Sequence, residues 1–446
     1  MSVSSTANKN FSDPLKHQMI PIRIPFEGAK WEMLLVSVWF FATATELEGM
    51  GPLRYLCFAG FLGSVALNQA FLRPYARHLW FLFLFPAWVT FSVMWSPNSA
   101  TALKFGLMHM LDIILLIYIA VRLSPHQIIR CLFYAYIPVA FVVFSHLPNL
   151  GPYDLPMGFE EKNLVANRMF FLFVACLFMV LESKTLIFEK WIAGLILPLT
   201  FLSIFKVESA TSLVLAIVSF GVMLIMGTVW KSVTKIQSAS VVLIISIVSL
   251  VVLGLIIGMS MFVDGPVVAF LDSLGKDTTL TGRTELWGFA QELIPENPIF
   301  GLGAEGFWQL GRGDAEGWLE YFFKEEYTRF SFHNSYFEIT VHLGLVGLSF
   351  MLIALAFVLW RAIINWFRRQ DLSASFFLMI TLVSLARSMT ESDLYNVFEM
   401  NKIMLFLGGL TALSFKTVLV PKSYFEKKPA QNLTISSQWK ELAREK

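Results

Sequence analysis

The chain of 446 residues has little charge: Asp, Glu, Lys and Arg make up 15% of it, against 56% hydrophobic residues. That balance excludes an ordinary soluble globular domain and an intrinsically disordered chain. It has only three cysteines, Cys57, Cys131 and Cys176, each inside an apolar run, which excludes a disulfide framework and a cysteine-based metal site. The formal net charge is only +2, with no basic stripe of the kind a nucleic-acid partner requires. No repeat of fixed period is present. The polar first 30 residues lead into an apolar run at Trp31 without the short hydrophobic core and small-residue cleavage site of a secretory signal, so the first run reads as an uncleaved helix.

What is present is a series of apolar runs, each near the ~20 residues needed to cross a bilayer as a helix. About twelve are counted, at 31–48, 53–72, 79–95, 103–121, 128–147, 164–181, 190–205, 210–230, 239–262, 334–360, 373–391 and 397–416. The fold class expected is an all-α polytopic membrane protein with one large, partly helical external loop. The run at 103–121 is the least regular, because it holds Lys104, His109 and Asp112, and the last two read as a polar helix contact. With both termini in the cytoplasm, 22 of the 34 basic residues and only 9 of the 32 acidic ones fall on that side, as the retention of basic loops demands. The expected organisation is a cytoplasmic tail at 1–30, nine spans at 31–262, a loop subdomain at 263–332, three spans at 333–416 and a second cytoplasmic tail at 417–446.

The loop is rich in aromatic residues, which argues for a folded unit. Residues 281–294 read as a helix that Thr281 would cap, ended by Pro295 and Pro298, and a second short helix is expected at 315–327. Trp308, Trp318, Tyr321 and Tyr327 suit either sugar stacking or packing of the subdomain. Gly301, Gly303 and Gly306 have the G-x-G-x-x-G spacing of dinucleotide sites, but neither a strand before them nor a helix directly after them, so they read as a tight turn whose backbone approaches the membrane surface or a substrate.

Polar residues gather at the external ends of the spans. They include Lys162, Asn163 and Arg168 after the turn at 148–163, Lys206 in "KVES", Glu391 and Asp393 in "RSMTESD", and His333 and Asn334 where the loop meets the next span. From spacing alone, His333 favours a local capping role. Arg283 stands between a surface pair with Glu285 or Asp277 and an anion-binding role. Glu391 and Asp393 would orient basic residues or an acceptor, or be solvated loop charges. Gly344 and Gly347 would permit close helix contact.

Taken together, Gly282, Arg283, Trp287, Pro298, Gly301, Gly303, Gly306, His333, Asn334, Tyr336, Gly344 and Gly347 resemble the signature of the O-antigen ligase and polymerase superfamily. The "GFEEKNLVAN" stretch at 158–167 resembles succinoglycan-type exopolysaccharide polymerases. "SATSL" at 209–213 lacks the arginine that many ligases carry after the corresponding serine. The resemblance implies a bacterial inner-membrane glycosyltransferase with a periplasmic active site, inverting and without metal or cofactor. Its donor would be an undecaprenyl-pyrophosphate-linked oligosaccharide. Its acceptor would be another lipid-linked repeat unit in a polymerase, or lipid A core or protein in a ligase. Membrane lipids and polysaccharide chain-length or export proteins would be partners. In that chemistry Arg283 would hold pyrophosphate bidentately, with Lys162, Asn163, Arg168, Lys206, Asn334 and Glu391 as further substrate contacts. His333 would serve as general base or phosphate ligand. A transporter of lipid-linked glycans is the rival class, for which charges inside the spans or paired broken helices would be expected.

Overall fold

A computed structural model describes residues 19–25, 27–45, 50–159, 161–226, 282–309, 311–322, 330–369, 371–413 and 415–421. The expected span at 239–262 lies outside the described residues, as do Asp277, Thr281 and Tyr327. Two units are distinguished, one formed by the terminal segments and one running from Glu27 to Ser414. In the terminal unit, strand β1 (Met19–Pro25) pairs antiparallel with β2 (Phe415–Pro421), Met19 opposite Pro421 and Pro25 opposite Phe415. The expected all-α class is corrected to that extent. Short alternating segments such as "IPIRI" and "KTVLV" have β-branched residues that favour a ladder once a partner strand is available, and the partner is almost 400 positions away.

The larger unit is helical. In chain order its helices are α1 (Lys30–Ala44), α2 (Met50–Leu67), α3 (Gln69–His78), α4 (Leu84–Phe91), α5 (Ser99–Arg122), α6 (Pro125–Ser145), α7 (Lys162–Leu181), α8 (Ile187–Lys206), α9 (Ala210–Leu224), α10 (Arg283–Leu293), α11 (Gly313–Tyr321), α12 (Ser335–Arg369), α13 (Leu372–Arg387) and α14 (Met400–Leu410). Among the described residues six are long and apolar enough to cross a membrane: α2, α5, α6, α7, α8 and α12. A seventh span results if the pair Leu72–His78 and Trp80–Met94, bent by 74°, is one crossing. The chain is thus a multi-pass helical membrane protein. The remaining apolar helices are shorter than the runs suggested, since apolar composition continues through turns and 3₁₀ segments that a hydropathy count does not separate.

Local sequence explains several boundaries. Ser124 and Gln127 form a reciprocal capping box at the start of α6, with Pro125 in the first helical position. Asn98 accepts from the Thr101 N–H at the start of α5, and Asp371 from the Ala374 N–H at the start of α13. Helix α7 lies in the middle of the bundle, against α6, α8 and α9, and is buried along most of its length. The three cysteines are buried and free, as packing residues should be.

Helix α12 is broken at Gly344, where φ is +65° and ψ −172°. The expected single span at 334–360 is therefore a short helix that turns into a long one. The break releases backbone groups, and the glycine-rich loop takes them up. Leu345 N–H donates to Pro298 O at 2.8 Å, Val346 N–H to Ile299 O at 3.3 Å, and Leu302 N–H to Val341 O at 2.9 Å. The Trp88 indole of α4 donates to Leu343 O at 2.9 Å. Ser92 and Ser96 bind Ala304 from the other side.

The loop can come this close only because it lacks side chains. A Cβ on Gly301 would stand 2.5 Å from the His342 carbonyl carbon, and one on Gly303 2.5 Å from Ser96 Cα. Gly301 thus approaches the broken helix at His342 and Gly344, and Gly303 the turn at Ser96. A Cβ at Gly344 would lie 2.1 Å from Ile299 O in a left-handed conformation, which costs a non-glycine residue on the order of 1–3 kcal/mol before any clash. Gly344→Ala is expected to lower the melting temperature of the detergent-solubilised protein by several degrees, whereas Gly317→Ala, at an ordinary φ and with a Cβ that meets nothing, should not. Equal melting temperatures for the two variants would contradict this packing.

Candidate active site

The described part of the loop packs around a small core that also takes in Val341 of α12. Leu286, Ala290 and Leu293 of α10, Ala315 and Leu319 of α11, and Phe307, Phe330 and Phe332 pack together, with Trp308 and Trp318 half-buried against them. Those two tryptophans are therefore packing residues, while Tyr321 is exposed. Helix α11 runs to Tyr321, and residues 323–329 lie outside the described set. Helix α10 starts at Arg283 with Gly282 as its N-cap, at φ +81°, so the cap is a glycine turn rather than a side chain.

This core delivers Arg283 and His333 to the turn between α13 and α14. At the centre is Glu391. Its Oε1 lies 2.9 Å from Arg283 Nη2 and 3.9 Å from Arg387 Nη2, and its Oε2 lies 3.2 Å from His333 Nδ1. Arg387 also donates from Nε to Asp393 at 3.1 Å. Deeper in, Arg168 of α7 binds Glu399 at 3.1 Å and the carbonyl of Ala44 at 3.1 Å. The side chains grade inward from His333, 23% exposed, through Arg283 at 12% and Arg387 at 7% to Arg168 at 4%. Among the described residues Arg283 is therefore paired with a carboxylate more than a hundred residues away rather than with Glu285.

The electrostatics follow from this crowding. Burial raises the pKa of Glu391, but the hydrogen bond from His333 and the charges of Arg387, Arg283 and His333 outweigh it and hold the carboxyl at about 2. Burial pushes Asp393 above the usual range, with Glu399 and Glu391 adding to the rise and Arg387 opposing it. Glu399 is lowered because Arg168 overcomes its desolvation. Glu391 is thus ionised and accepts from both neighbours. Nδ1 of His333 therefore carries a proton, so that in the neutral imidazole the lone pair is on Nε2.

His333 does not cap the helix; Asn334 does. Its Oδ1 accepts from the N–H groups of Tyr336 at 2.9 Å and Phe337 at 3.2 Å, and its Nδ2 donates to Met389 O. His333 itself has φ +48°, an uncommon conformation for a residue with a side chain, held by its neighbours on both sides. Trp287 donates to Phe332 O at 2.9 Å just before it.

The remaining sequence candidates are placed apart. Lys162 opens α7 and is half-buried, and Asn163 accepts from Ser209 at 3.1 Å. Lys206 donates to the carbonyls of Leu147 at 2.6 Å and Pro148 at 3.0 Å. Among the described residues no hydrogen bond or ion pair joins these three to the Glu391 cluster. Arg387 and Glu399 were not singled out from the sequence. The signal available was position: each is a charged residue at the border of an apolar run, where desolvation demands a partner. His109 and Asp112 are both buried, and each meets Lys402: Asp112 Oδ2 is 2.7 Å and His109 Nδ1 3.4 Å from its ammonium.

These features define a multi-pass membrane protein whose charge-lined site is assembled from helix ends and a broken helix. Residues 193–352, which include Arg283, His333 and the glycine loop, match the family model described as O-antigen ligase. The chain is also similar to the exopolysaccharide production protein ExoQ of Rhizobium meliloti (strain 1021), with 26% identity over 395 residues, covering 85% of this chain and 87% of the relative. The resemblance read from the motifs is borne out.

Because the pKa of Glu391 is depressed, its pairing contributes stability above the ordinary carboxylate value of 4.5 and loses it as pH falls toward about 2. Thermal melts of the wild type and Glu391→Gln should therefore differ at neutral pH and converge between about 4.5 and 2. A stability gap that stays constant through that window would contradict the assignment.

Proposed function

We propose that this protein is an inverting membrane glycosyltransferase that polymerises undecaprenyl-pyrophosphate-linked repeat units of an exopolysaccharide or O-antigen at the periplasmic face of a bacterial inner membrane. The observation that carries this reading is the convergence of Arg283 and His333, both inside the stretch matched by the O-antigen ligase family, with Arg387 on one carboxylate, that of Glu391. A carboxylate held by two guanidiniums marks a place where anionic oxygen is stabilised, and a pyrophosphate presents oxygens of the same kind.

In the reaction, a hydroxyl of the incoming repeat unit attacks the anomeric carbon of the donor. The new C–O bond forms as the bond from that carbon to the pyrophosphate oxygen breaks. The electron pair leaves with undecaprenyl pyrophosphate, stabilised by Arg283 and Arg387. The hydroxyl proton passes to His333 Nε2, while Glu391 stabilises the imidazolium through Nδ1–H. Attack opposite the leaving group inverts the anomeric centre. Lys162, Asn163, Lys206 and Arg168 are left for the glycan and the outer phosphate.

The bundle has about twelve spans in this reading, with both termini cytoplasmic and the 263–332 loop periplasmic. The 26% identity to an exopolysaccharide production protein and the absence of an arginine after Ser209 support a polymerase. The description of the matched family supports a second reading, a ligase that transfers the glycan to lipid A core or protein.

His333→Ala and Arg283→Ala are expected to reduce polymer formation by about 10² to 10⁴, the usual worth of a general base, with normal membrane insertion. Arg387→Gln should also lower polymer formation and in addition weaken inhibition by inorganic pyrophosphate. Near wild-type polymer from His333→Ala or Arg283→Ala would refute the assignment of that residue. To separate the two readings, purified protein is incubated with lipid-linked repeat units alone. Chain growth identifies a polymerase, and growth only after an added core or protein acceptor identifies a ligase.

A further inference from the structure

One buried carboxylate is not used by the chemistry above. Glu338, in the first turn of α12, is 1% exposed and accepts four hydrogen bonds. Its Oε1 receives Trp308 Nε1–H at 3.1 Å and lies 3.2 Å from His342 Nε2. Its Oε2 receives Phe332 N–H at 2.7 Å and Ser392 Oγ–H at 3.3 Å. The direction of the His342 contact is set on the other side of the ring, where the Gly306 N–H donates to Nδ1 at 3.1 Å, so Nε2 carries the proton.

Each partner belongs to a different part of the site. Phe332 immediately precedes His333, and Ser392 immediately follows Glu391. Trp308 closes the glycine loop, and His342 precedes the break at Gly344 by two residues. Further bonds tie the same two strands of chain together: Ser335 N–H donates to Ser388 O at 2.9 Å, Ser335 Oγ–H to Glu391 O at 2.7 Å, and Leu394 N–H to Ser335 Oγ at 3.1 Å. His342 in turn stacks on Tyr395, whose hydroxyl accepts from Glu305 N–H.

We propose that Glu338 is the positioning residue for the His333–Glu391 pair, holding the backbone on one side of each so that imidazole and carboxylate meet. This rests on the reading of His333 as the reacting group. A carboxylate is required because four donors converge on two oxygens. Glutamine keeps the shape but has only one acceptor oxygen, and its amide hydrogens face two donors whichever way it is turned. His333 also sits at a positive φ that its neighbours must impose, so loosening Phe332 lets it relax to an ordinary conformation.

The test uses the full chain in lipid nanodiscs with lipid-linked repeat units as substrate. Glu338→Gln is expected to lower kcat per folded molecule by about 10²-fold, the cost of a displacement near 1 Å, with little change in KM for the lipid-linked donor. Ser392→Ala, which removes one donor and leaves the other three, guards against failure to fold and should show a smaller loss with the same signature. A role in folding alone would lower the yield while kcat and KM per folded molecule stay at wild-type values, and would overturn the proposal.

An activity-independent measurement accompanies it: the rate at which diethyl pyrocarbonate modifies His333, followed by mass spectrometry. That rate should rise several-fold in Glu338→Gln, because Nε2 becomes more accessible once the clamp is released. An unchanged rate overturns the positioning role even if the wild type forms no polymer, an outcome that by itself would count against the proposed reaction instead.

Discussion

Away from water, a backbone N–H or C=O left without a partner costs several kcal/mol, and that constraint organises this protein. A straight helix meets it automatically, but α12 does not stay straight. Its break at Gly344 exposes peptide groups that the loop at 298–302 satisfies one by one. The loop must therefore lie against the helix at van der Waals distance, which only glycine allows at 301. Once the loop is seated, Trp308 and the core of the 282–332 unit follow, and with them Arg283 and Phe332.

The same constraint acts on charge. Arg168, Arg283 and Arg387 face Glu391, Asp393 and Glu399 in a region largely closed to solvent, so each ion has a partner within reach. The balance is not symmetrical, because Glu391 faces two guanidiniums and an imidazole together. Its carboxyl is stabilised so strongly as an anion that it behaves as a fixed negative charge over the whole physiological range. In the proposed reaction a substrate anion would meet a cluster of guanidiniums already desolvated and aligned, which avoids most of the reorganisation that a solvated pair would need. Elsewhere among the described residues, the ion pairs of Glu32 with Arg122 and Asp112 with Lys402 tie α1 to α5 and α5 to α14.

Much of the fold could be read from hydropathy, because the ~20-residue length of a membrane-crossing helix leaves a plain mark on composition. The caps at Asn98, Ser124 and Asp371 were equally local. The break at Gly344 was not readable, since a glycine in an apolar run fits a straight helix with close contacts as well as a sharp turn. Nor was the pairing of β1 with β2, two short segments with nothing in either to name the other. Of the site, His333, Arg283 and Glu391 were singled out by residue type and by position at helix mouths. Arg387, Glu399 and Glu338 escaped because each looks like an ordinary charge at the edge of an apolar run.

By itself, the sequence determined that this is a polytopic helical membrane protein with an aromatic loop and a set of residues, Arg283 and His333 among them, that resembles the O-antigen ligase and polymerase signature. Composition, motif spacing and the placement of charge are properties of neighbouring residues, so they survive without coordinates. The tertiary structure alone decided that Arg283 pairs with Glu391, that Gly301 approaches a broken helix, and that Glu338 stands behind the histidine. Each of those depends on which distant segment supplies a partner for a buried polar group, and many segments of one chain offer the same donors and acceptors.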